Sequence, residues 1–349
     1  MSTHFEREID EQPATLARLL HDGRAEVADA AAAIRAHPPR FIVTAARGSS
    51  DNAARYAKYL FGAHNRLVVS LGAPSLITLY DAAPSLRDAL VIGISQSGES
   101  PDIVALLEEG KRQGALTVAL CNQTTSPLAR AAAHVIDLRA GPEQAVVASK
   151  SYTAELLALA MLSAAIGDDD GYRQALARVP DAVARTLELC RPAVAALNLT
   201  AFVAARNMIV VGRGFNFATA FELALKIKET AALPCESFAT PDLLHGPFAM
   251  IGRDFPALVV APNGATAADT RALVEALVSR QAHVIVISEN AAFDGVWIRA
   301  RLSVDESLPE WLSPLTHVVP GQCLALRLAQ ARGLAVDTPT GLSKVTRTR

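Results

Sequence analysis

An internal duplication constrains the fold of this chain more than any other feature of its sequence. Three apolar segments of the first half recur in the second half: residues 41–48 with 208–214, 89–95 with 257–261, and 116–121 with 283–288. The offsets are 166 residues from Gly48 to Gly214, 168 from Ala89 to Ala257, and 167 from Leu116 to His283. Three matches at nearly one offset are hard to obtain by chance, so the sequence predicts two copies of one structural unit.

Each copy alternates short, continuously apolar runs with longer helical stretches. Strands of a parallel sheet read this way, because helices cover both faces of the sheet. Crossover helices are predicted at residues 102–113 and 270–280. The predicted fold is therefore α/β, with two tandem, doubly wound, parallel-sheet domains. The predicted boundaries are an N-terminal helical arm (1–24), a first domain (25–170), a second domain (195–335) and a C-terminal tail (336–349).

Composition narrows the class of protein. The 33 basic and 35 acidic residues give a net charge of −2, which argues against a protein that neutralises nucleic-acid phosphates. The longest apolar stretch, residues 156–166, is too short to cross a bilayer, and the charged first 13 residues do not resemble a signal peptide. The four cysteines are scattered along the chain and are interpreted as buried free thiols of a reducing compartment: Cys121, Cys190, Cys235 and Cys323. We therefore expect a cytoplasmic protein. Taken together, the composition and the sequence predict no membrane, nucleic-acid, metal or cofactor partner.

The two halves differ after their second recurring segment. The first half continues Ser95-Gln-Ser-Gly-Glu-Ser100-Pro101, whereas the second has Pro-Asn-Gly-Ala at 262–265, without hydroxyls. Ser100 suits a helix N-cap and Pro101 the first helical position, while Gly98 lets backbone N–H groups approach a ligand. The alternative is an ordinary serine-rich turn. The difference between the halves favours a phosphate cradle made without lysine, which would use Ser95, Gln96, Ser97 and Ser100.

A second hydroxyl pair, Ser49-Ser50, follows the first predicted strand. Open α/β sheets bind ligands at the carboxyl ends of their strands. The two serines and the loop that starts at Ser95 can therefore face one pocket.

The helix predicted after Gly214 carries Glu222, Lys226 and Glu229 on one face, because their spacings are four and three residues. A solvated ion pair on the surface is one interpretation. However, the neighbouring positions 223–225 and 227 are apolar, which predicts a buried helix in which charges need partners or a purpose.

Two further candidates are weak by themselves. His245 lies in a turn-like segment at 242–247, where a histidine is usually structural. Lys344 lies near the C-terminus, where loose basic tails are common. The other histidines have no spacing that suggests a metal site: His4, His21, His37, His64, His134, His283 and His317.

Together these residues resemble the sugar isomerase (SIS) domain family. The resemblance is greatest to the isomerase half of glucosamine-6-phosphate synthase and to stand-alone SIS-type glucosamine-6-phosphate deaminases. It extends over nearly the whole chain and rests on motifs at 8–13, 95–98, 140–143, 224–229, 245–247, 337–339 and 342–344.

The resemblance implies a role for each matched residue. Glu229 would move a proton between C1 and C2 of the sugar, with Lys226 beside the enolised substrate. His245 would assist ring opening, reaching in from a neighbouring subunit of a homodimer, and Glu222 would support that step. Lys344 would meet the carbonyl carbon and could form a Schiff base. The implied substrate contacts are Gly48, Ser49, Ser50, Ser95, Gln96, Ser97, Ser100, Val146 and Ser343.

The sequence also departs from the family pattern. Ala148 stands where the family often has serine, Pro-Cys-Glu-Ser at 234–237 replaces a more usual His-Ala-Glu, and Asp242 replaces glutamate. Ser2, not a nucleophilic cysteine, follows the initiator methionine, and no glutaminase domain is expected, so glutamine-driven synthesis is not expected either.

The expected function is therefore conversion of glucosamine 6-phosphate to fructose 6-phosphate and ammonia. Two alternatives stay open. One is a ketose/aldose phosphosugar isomerase or a fructosamine-6-phosphate deglycase. The other is a non-catalytic sugar-phosphate sensor, which has no need of Glu229, His245 and Lys344 together.

Overall fold

A computed structural model describes residues 2–294 and 298–344, so the predicted tail is described as far as Lys344. The chain forms two compact units. We call residues 14–143, 150–177 and 343–344 the first-sheet unit, and residues 2–13, 144–149 and 178–342 the second-sheet unit. Among the described residues, no helix is long and apolar enough to span a membrane.

The first-sheet unit is built on a five-stranded parallel sheet. Its strands are β1 (Phe41–Ala45), β2 (Val68–Leu71), β3 (Ala89–Ser95), β4 (Leu116–Cys121) and β5 (His134–Asp137). Their order is β2-β1-β3-β4-β5, and every pair is parallel. All seven residues of the central strand β3 are buried, as a continuously apolar strand covered on both faces requires.

The second-sheet unit repeats this topology. Its strands are β6 (Met208–Val211), β7 (Cys235–Phe238), β8 (Pro256–Val260), β9 (His283–Ile287) and β10 (Ala300–Leu302), in the order β7-β6-β8-β9-β10. The predicted α/β class, the duplication and its three recurring strands are confirmed. Strands β2, β5, β7 and β10 were not predicted. They are the short edge strands of the two sheets, and β2 alternates exposed and buried residues instead of forming an apolar run.

Helices connect and cover the strands. In the first half they are α1 (His4–Asp10), α2 (Gln12–Asp22), α3 (Arg24–Ala36), α4 (Gly48–His64), α5 (Ser75–Thr78), α6 (Pro101–Arg112), α7 (Pro127–Ala131), α8 (Lys150–Gly167) and α9 (Asp170–Ala177). The second half has α10 (Val179–Ala195), α11 (Thr200–Ala204), α12 (Phe217–Ala231), α13 (Thr240–Leu244), α14 (Ala267–Ser279) and α15 (Ser313–Ala331). The predicted crossover helices are confirmed as α6 and α14.

Short 3₁₀ helices complete the second half, at Gly214–Asn216, Pro247–Met250, Ala291–Phe293 and Glu310–Leu312. The most buried helices are α8 and α15, which follow the last strand of their respective halves. Nearly every residue of both is buried, because α8 packs on α3 and α4 while α15 packs on α10 and α12. The four cysteines are buried free thiols, as predicted.

The N-terminal segment is tied into the second-sheet unit by two carboxylates. Asp337 accepts the backbone N–H groups of His4 and Phe5, at 2.8 and 2.9 Å, and so caps α1. The buried carboxylate of Glu8 accepts the N–H of Gln144 and, at 3.3 Å, that of Ala145. The acidic residues of the 8–13 and 337–339 motifs therefore have structural partners.

Candidate active site

The loop between β3 and α6 is shaped by its own serine and glycine. Ser95 Oγ accepts the Gly98 N–H at 3.0 Å. Gly98 has φ +67°, and a Cβ there would lie 2.2 Å from Ser126 Oγ, so only glycine fits this position. Ser100 occupies the N-cap position and Pro101 the first turn of α6, as predicted, but the Ser100 hydroxyl does not cap the helix.

Several polar groups of this loop are uncommitted. Within residues 2–294 and 298–344, the Gln96 amide and the Ser100 hydroxyl have no hydrogen-bond partner. Ser97 Oγ accepts the Glu99 N–H at 3.3 Å, which leaves the hydroxyl proton of Ser97 available to a ligand. These donors lie beside the N-terminus of α6, where the helix dipole favours an anion. The arrangement therefore suits a phosphate.

The predicted Ser49-Ser50 pair lies in the first turn of α4, which begins at Gly48 with φ +56°. Because β1 and β3 are neighbouring parallel strands, this turn and the Ser95–Ser100 loop leave the same edge of the sheet. Ser49 is partly exposed, but Ser50 is buried and donates to Glu155 Oε1 at 2.7 Å. The Ser50 hydroxyl therefore joins α4 to α8 and cannot donate to a ligand at the same time.

The recurring Arg-Gly sequence has a structural explanation that the sequence analysis missed. Arg47 forms an ion pair with Asp102 of α6 at 2.7 Å, and Arg213 forms the same pair with Asp269 of α14. In each half this pair joins the loop after one strand to the helix after its neighbour. The signal was present in the sequence, because both the arginine and the aspartate recur at the offset of the duplication.

The face of α12 predicted to carry charge holds a three-residue ion cluster. Lys226 Nζ lies 2.7 Å from Glu229 Oε2 and 3.3 Å from Glu222 Oε1. The Glu222 and Lys226 side chains are 0% and 1% exposed, so the interpretation as a solvated surface pair is wrong. Glu229 is 24% exposed. Burial lowers the pKa of Lys226, but the two carboxylates outweigh burial and raise it overall, which keeps the ammonium charged.

Glu229 is the member of this cluster that reaches a cavity. The cavity has a volume of about 300 Å³ and is lined by the C-terminal end of α12 and by residues that follow α15, including Leu334, Pro339 and Leu342. A carboxylate with one oxygen on a buried ammonium and access to a cavity is arranged to accept a proton from a small molecule.

His245 lies elsewhere in the same unit. It ends α13, its side chain is exposed, and its backbone N–H donates to Pro241 O at 3.0 Å. With Arg213 and Asp269 it lines a separate cavity of about 320 Å³. Among the described residues, His245 and Glu229 therefore line two different cavities.

Lys344 is held by a buried carboxylate of the first-sheet unit. Its Nζ donates to Glu143 Oε2 at 2.9 Å, and Glu143 also accepts the hydroxyl and the N–H of Ser151, at 2.7 and 3.1 Å. The neighbouring Ser343 is exposed, and Val146 is partly buried in the loop that precedes α8. Glu155, the partner of Ser50, was not predicted, although it is the single acidic residue of the apolar helix α8.

Comparisons with known proteins identify the family. The SIS domain family model matches residues 37–165 and 201–294. Glutamine–fructose-6-phosphate aminotransferases [isomerizing] from Streptococcus mutans and Pyrococcus horikoshii are each 32% identical to this chain and cover 97% of it. The chain spans a little over half of their length, 57% and 56%.

Solved structures agree with this relationship. A protein from Silicibacter pomeroyi, proposed to be a phosphosugar isomerase, is 36% identical, has a TM-score of 0.85, and matches over 95% of this chain and 99% of its own. Glucosamine-6-phosphate deaminase from Thermotoga maritima shares the fold, with a TM-score of 0.73 at 19% identity and coverage of 96% and 100%. The chain therefore belongs to the SIS domain family, and its relatives in that family include enzymes.

Proposed function

We propose that this protein is an SIS-family amino-sugar phosphate deaminase that converts glucosamine 6-phosphate and water into fructose 6-phosphate and ammonia. The observation that carries the proposal is the ion cluster of α12, in which only Glu229 reaches a cavity while its partners are buried. Burying the Glu222 carboxylate and the Lys226 ammonium costs free energy. A catalytic base at Glu229 gives these buried charges a role, whereas a sugar-phosphate sensor does not need them.

The Ser95–Ser100 loop is proposed to bind the phosphate. Its uncommitted hydroxyl and amide donors, next to the N-terminus of α6, support this assignment. Binding the phosphate fixes the sugar by a group remote from the reacting carbons, so it contributes orientation as well as affinity.

Glu229 is proposed to transfer the proton. Opening of the sugar ring exposes an aldehyde at C1, which makes the proton on C2 acidic. The Glu229 carboxylate removes that proton to form an enolamine and returns it to C1, leaving an imine at C2. Water then adds to the imine, and ammonia leaves as the C2 ketone forms. Lys226, held as an ammonium between two carboxylates, fixes the orientation of Glu229.

The remaining assignments follow the family resemblance. His245 is proposed to assist ring opening in the site of a neighbouring subunit, and its position in a cavity separate from Glu229 supports such an arrangement. Lys344 is proposed to meet the carbonyl carbon, with Glu143 holding its ammonium in place. Glu222 supports the cluster through Lys226.

The test is a substrate panel with the Glu229→Gln variant. Hexosamine and fructosamine phosphates are scored for ammonia release, ketose formation and exchange of the C2 proton with deuterium from solvent. We expect wild-type protein to release ammonia from glucosamine 6-phosphate. Glu229→Gln should bind that sugar phosphate nearly normally but lose about 10²- to 10⁴-fold in turnover together with C2 exchange. Glu236→Gln, at an exposed glutamate of the same unit, is the matched control.

Three outcomes would contradict the proposal. Ketose formation without ammonia would identify an isomerase, and ammonia release only from fructosamine phosphates would identify a deglycase. A Glu229→Gln variant that keeps most of its rate would move the base elsewhere, with Glu143 as the next candidate.

A further inference from the structure

The second-sheet unit has its own loop at the position of the proposed phosphate loop, and that loop is occupied by side chains of the protein. It connects β8 to α14. Its Asn263 N–H donates to Glu289 Oε1 at 2.6 Å, and its Ala265 N–H donates to Glu310 Oε2 at 2.8 Å. The Thr266 hydroxyl donates to Glu310 Oε1 at 3.3 Å. Three donors that could bind an anion therefore already bind carboxylates of the chain itself.

The Glu310 carboxylate lies where the duplication would put a phosphate. A Cβ at Gly264 would lie 2.2 Å from Glu310 Oε2, and a Cβ at Gly214 would lie 3.9 Å from Glu310 Oε1. Glu310 is therefore close both to the loop after β6 and to the loop after β8. In the first-sheet unit the equivalent loops, after β1 and β3, carry Ser49 and Ser95–Ser100.

Glu289 completes this arrangement. Its second oxygen lies 3.1 Å from Nε2 of the buried His317, whose Nδ1 lies 2.9 Å from Ser313 O. Burial raises the pKa of Glu289, but the contacts with His317 and with the Asn263 N–H outweigh burial and hold it below the usual value. Glu289 is thus an anion at neutral pH, and the loop contacts the carboxyl groups of two residues from different parts of the chain.

We propose that Glu310, assisted by Glu289, is a built-in substitute for a ligand phosphate. It fills the second copy of the anion site, so that each chain takes up one sugar phosphate, and its removal uncovers a second site for phosphate-class anions. The inference rests on the proposed function only for the location of the first site. If Glu310 were an ordinary helix cap, no free anion would be expected to replace it. The proposal predicts that a free anion can replace the Glu310 side chain.

The test is rescue of a Glu310→Ala variant by inorganic phosphate. Thermal unfolding is measured with and without phosphate at constant ionic strength, in a Ser97→Ala, Ser100→Ala background that weakens the first site. Loss of the carboxylate should lower Tm by about 2–4 °C. Phosphate should recover more than half of that loss in the Glu310→Ala chain but leave the background chain unchanged. A crystal of Glu310→Ala grown with phosphate should show the anion at the Ala265 N–H.

Two further variants keep the inference falsifiable. Glu310→Gln keeps the size of the side chain and should show no rescue, since the amide still fills the site. Glu310→Ser vacates the site with a polar side chain and replaces Glu310→Ala if that variant does not fold. Equal stabilisation of all chains by phosphate, or rescue of none, would overturn the inference.

The experiments distinguish failure of the Glu310 inference from failure of the proposed function. If wild-type protein binds a sugar phosphate and the vacated loop takes no anion, the inference alone is wrong. If wild-type protein binds no sugar phosphate, the proposed function is wrong, while anion binding to the vacated loop is still measured.

Discussion

The serine hydroxyls of the candidate site look alike in the sequence but differ in their hydrogen-bond acceptors. The Ser50 proton is donated to the buried Glu155, whereas the Ser97 and Ser100 protons remain available at the helix N-terminus. A phosphate oxygen needs donors, so the second kind of serine can contribute affinity and the first kind cannot. This distinction is invisible in the sequence, because it depends on a carboxylate about a hundred residues away.

We therefore predict that Ser97→Ala affects substrate binding, whereas Ser50→Ala affects the stability of the fold. Ser97→Ala should raise KM for the sugar phosphate about tenfold with little change in kcat, the equivalent of one hydrogen bond to a charged group. Ser50→Ala should instead lower the stability of the fold by about 2 kcal/mol, because Glu155 loses a donor while buried. Steady-state kinetics and urea unfolding of both variants measure this contrast. A large KM effect in Ser50→Ala at unchanged stability would contradict it.

Lys226 provides a prediction about pH. Since its folded-state pKa is raised above 10.5, its ammonium stabilises the folded state at all lower pH, and this contribution is lost only as the pH rises through the raised value. Glu222→Gln removes one of the two charges that offset burial, so the pKa of Lys226 should fall. The alkaline limb of the kcat profile should therefore lie at lower pH in that variant than in the wild type. Identical pH profiles would show that Glu222 does not control Lys226.

At the scale of elements, the same arginine–aspartate ion pair occurs in both halves, but the two aspartates differ in burial. Each joins the loop after a central strand to a crossover helix. Asp102 is 0% exposed, whereas Asp269 is 51% exposed. A buried carboxylate that loses its cation is far more costly than an exposed one.

The duplication thus supplies a matched pair of variants. Arg47→Met should lower the free energy of unfolding by about 3 kcal/mol, because it leaves Asp102 buried without a counter-charge. Arg213→Met should cost less than about 1 kcal/mol. Arg47→Met should also raise KM, since the Ser95–Ser100 loop leads directly into α6. Urea unfolding and kinetics of both variants test this, and equal losses of stability would contradict it.

The sequence predicted elements wherever one local pattern is sufficient. Continuous apolar runs identified β1, β3, β4, β6, β8 and β9, and the spacing of charges on α12 identified the ion cluster. The edge strands β2, β5, β7 and β10 were not predicted, because each pairs on one side only and is three or four residues long. The partners of Ser50, Lys344 and Asp102 also escaped, since each contact joins residues far apart in the chain.

At the scale of the whole molecule, we predict that the proposed site is completed by His245 of a neighbouring subunit, and mixed assemblies test this prediction. Glu229→Gln and His245→Ala chains, each inactive alone, are co-expressed with different tags and purified as heterodimers. A heterodimer has one site with an intact Glu229 and an intact His245, so it should recover roughly half of the wild-type activity. Verified heterodimers without activity would show that His245 acts within its own chain or not at all.

The cap that Asp337 places on α1 has a consequence for how the protein is made. The two partners are separated by 333 residues, which a ribosome translating at about 5–20 residues per second covers in on the order of 20 to 70 s. A seven-residue helix is not stable alone, so α1 cannot persist in the nascent chain until Asp337 has emerged. Until then Phe5 and Ile9, buried in the folded protein, are open to chaperones and proteases. A chain released before residue 337 therefore lacks the carboxylate that caps α1.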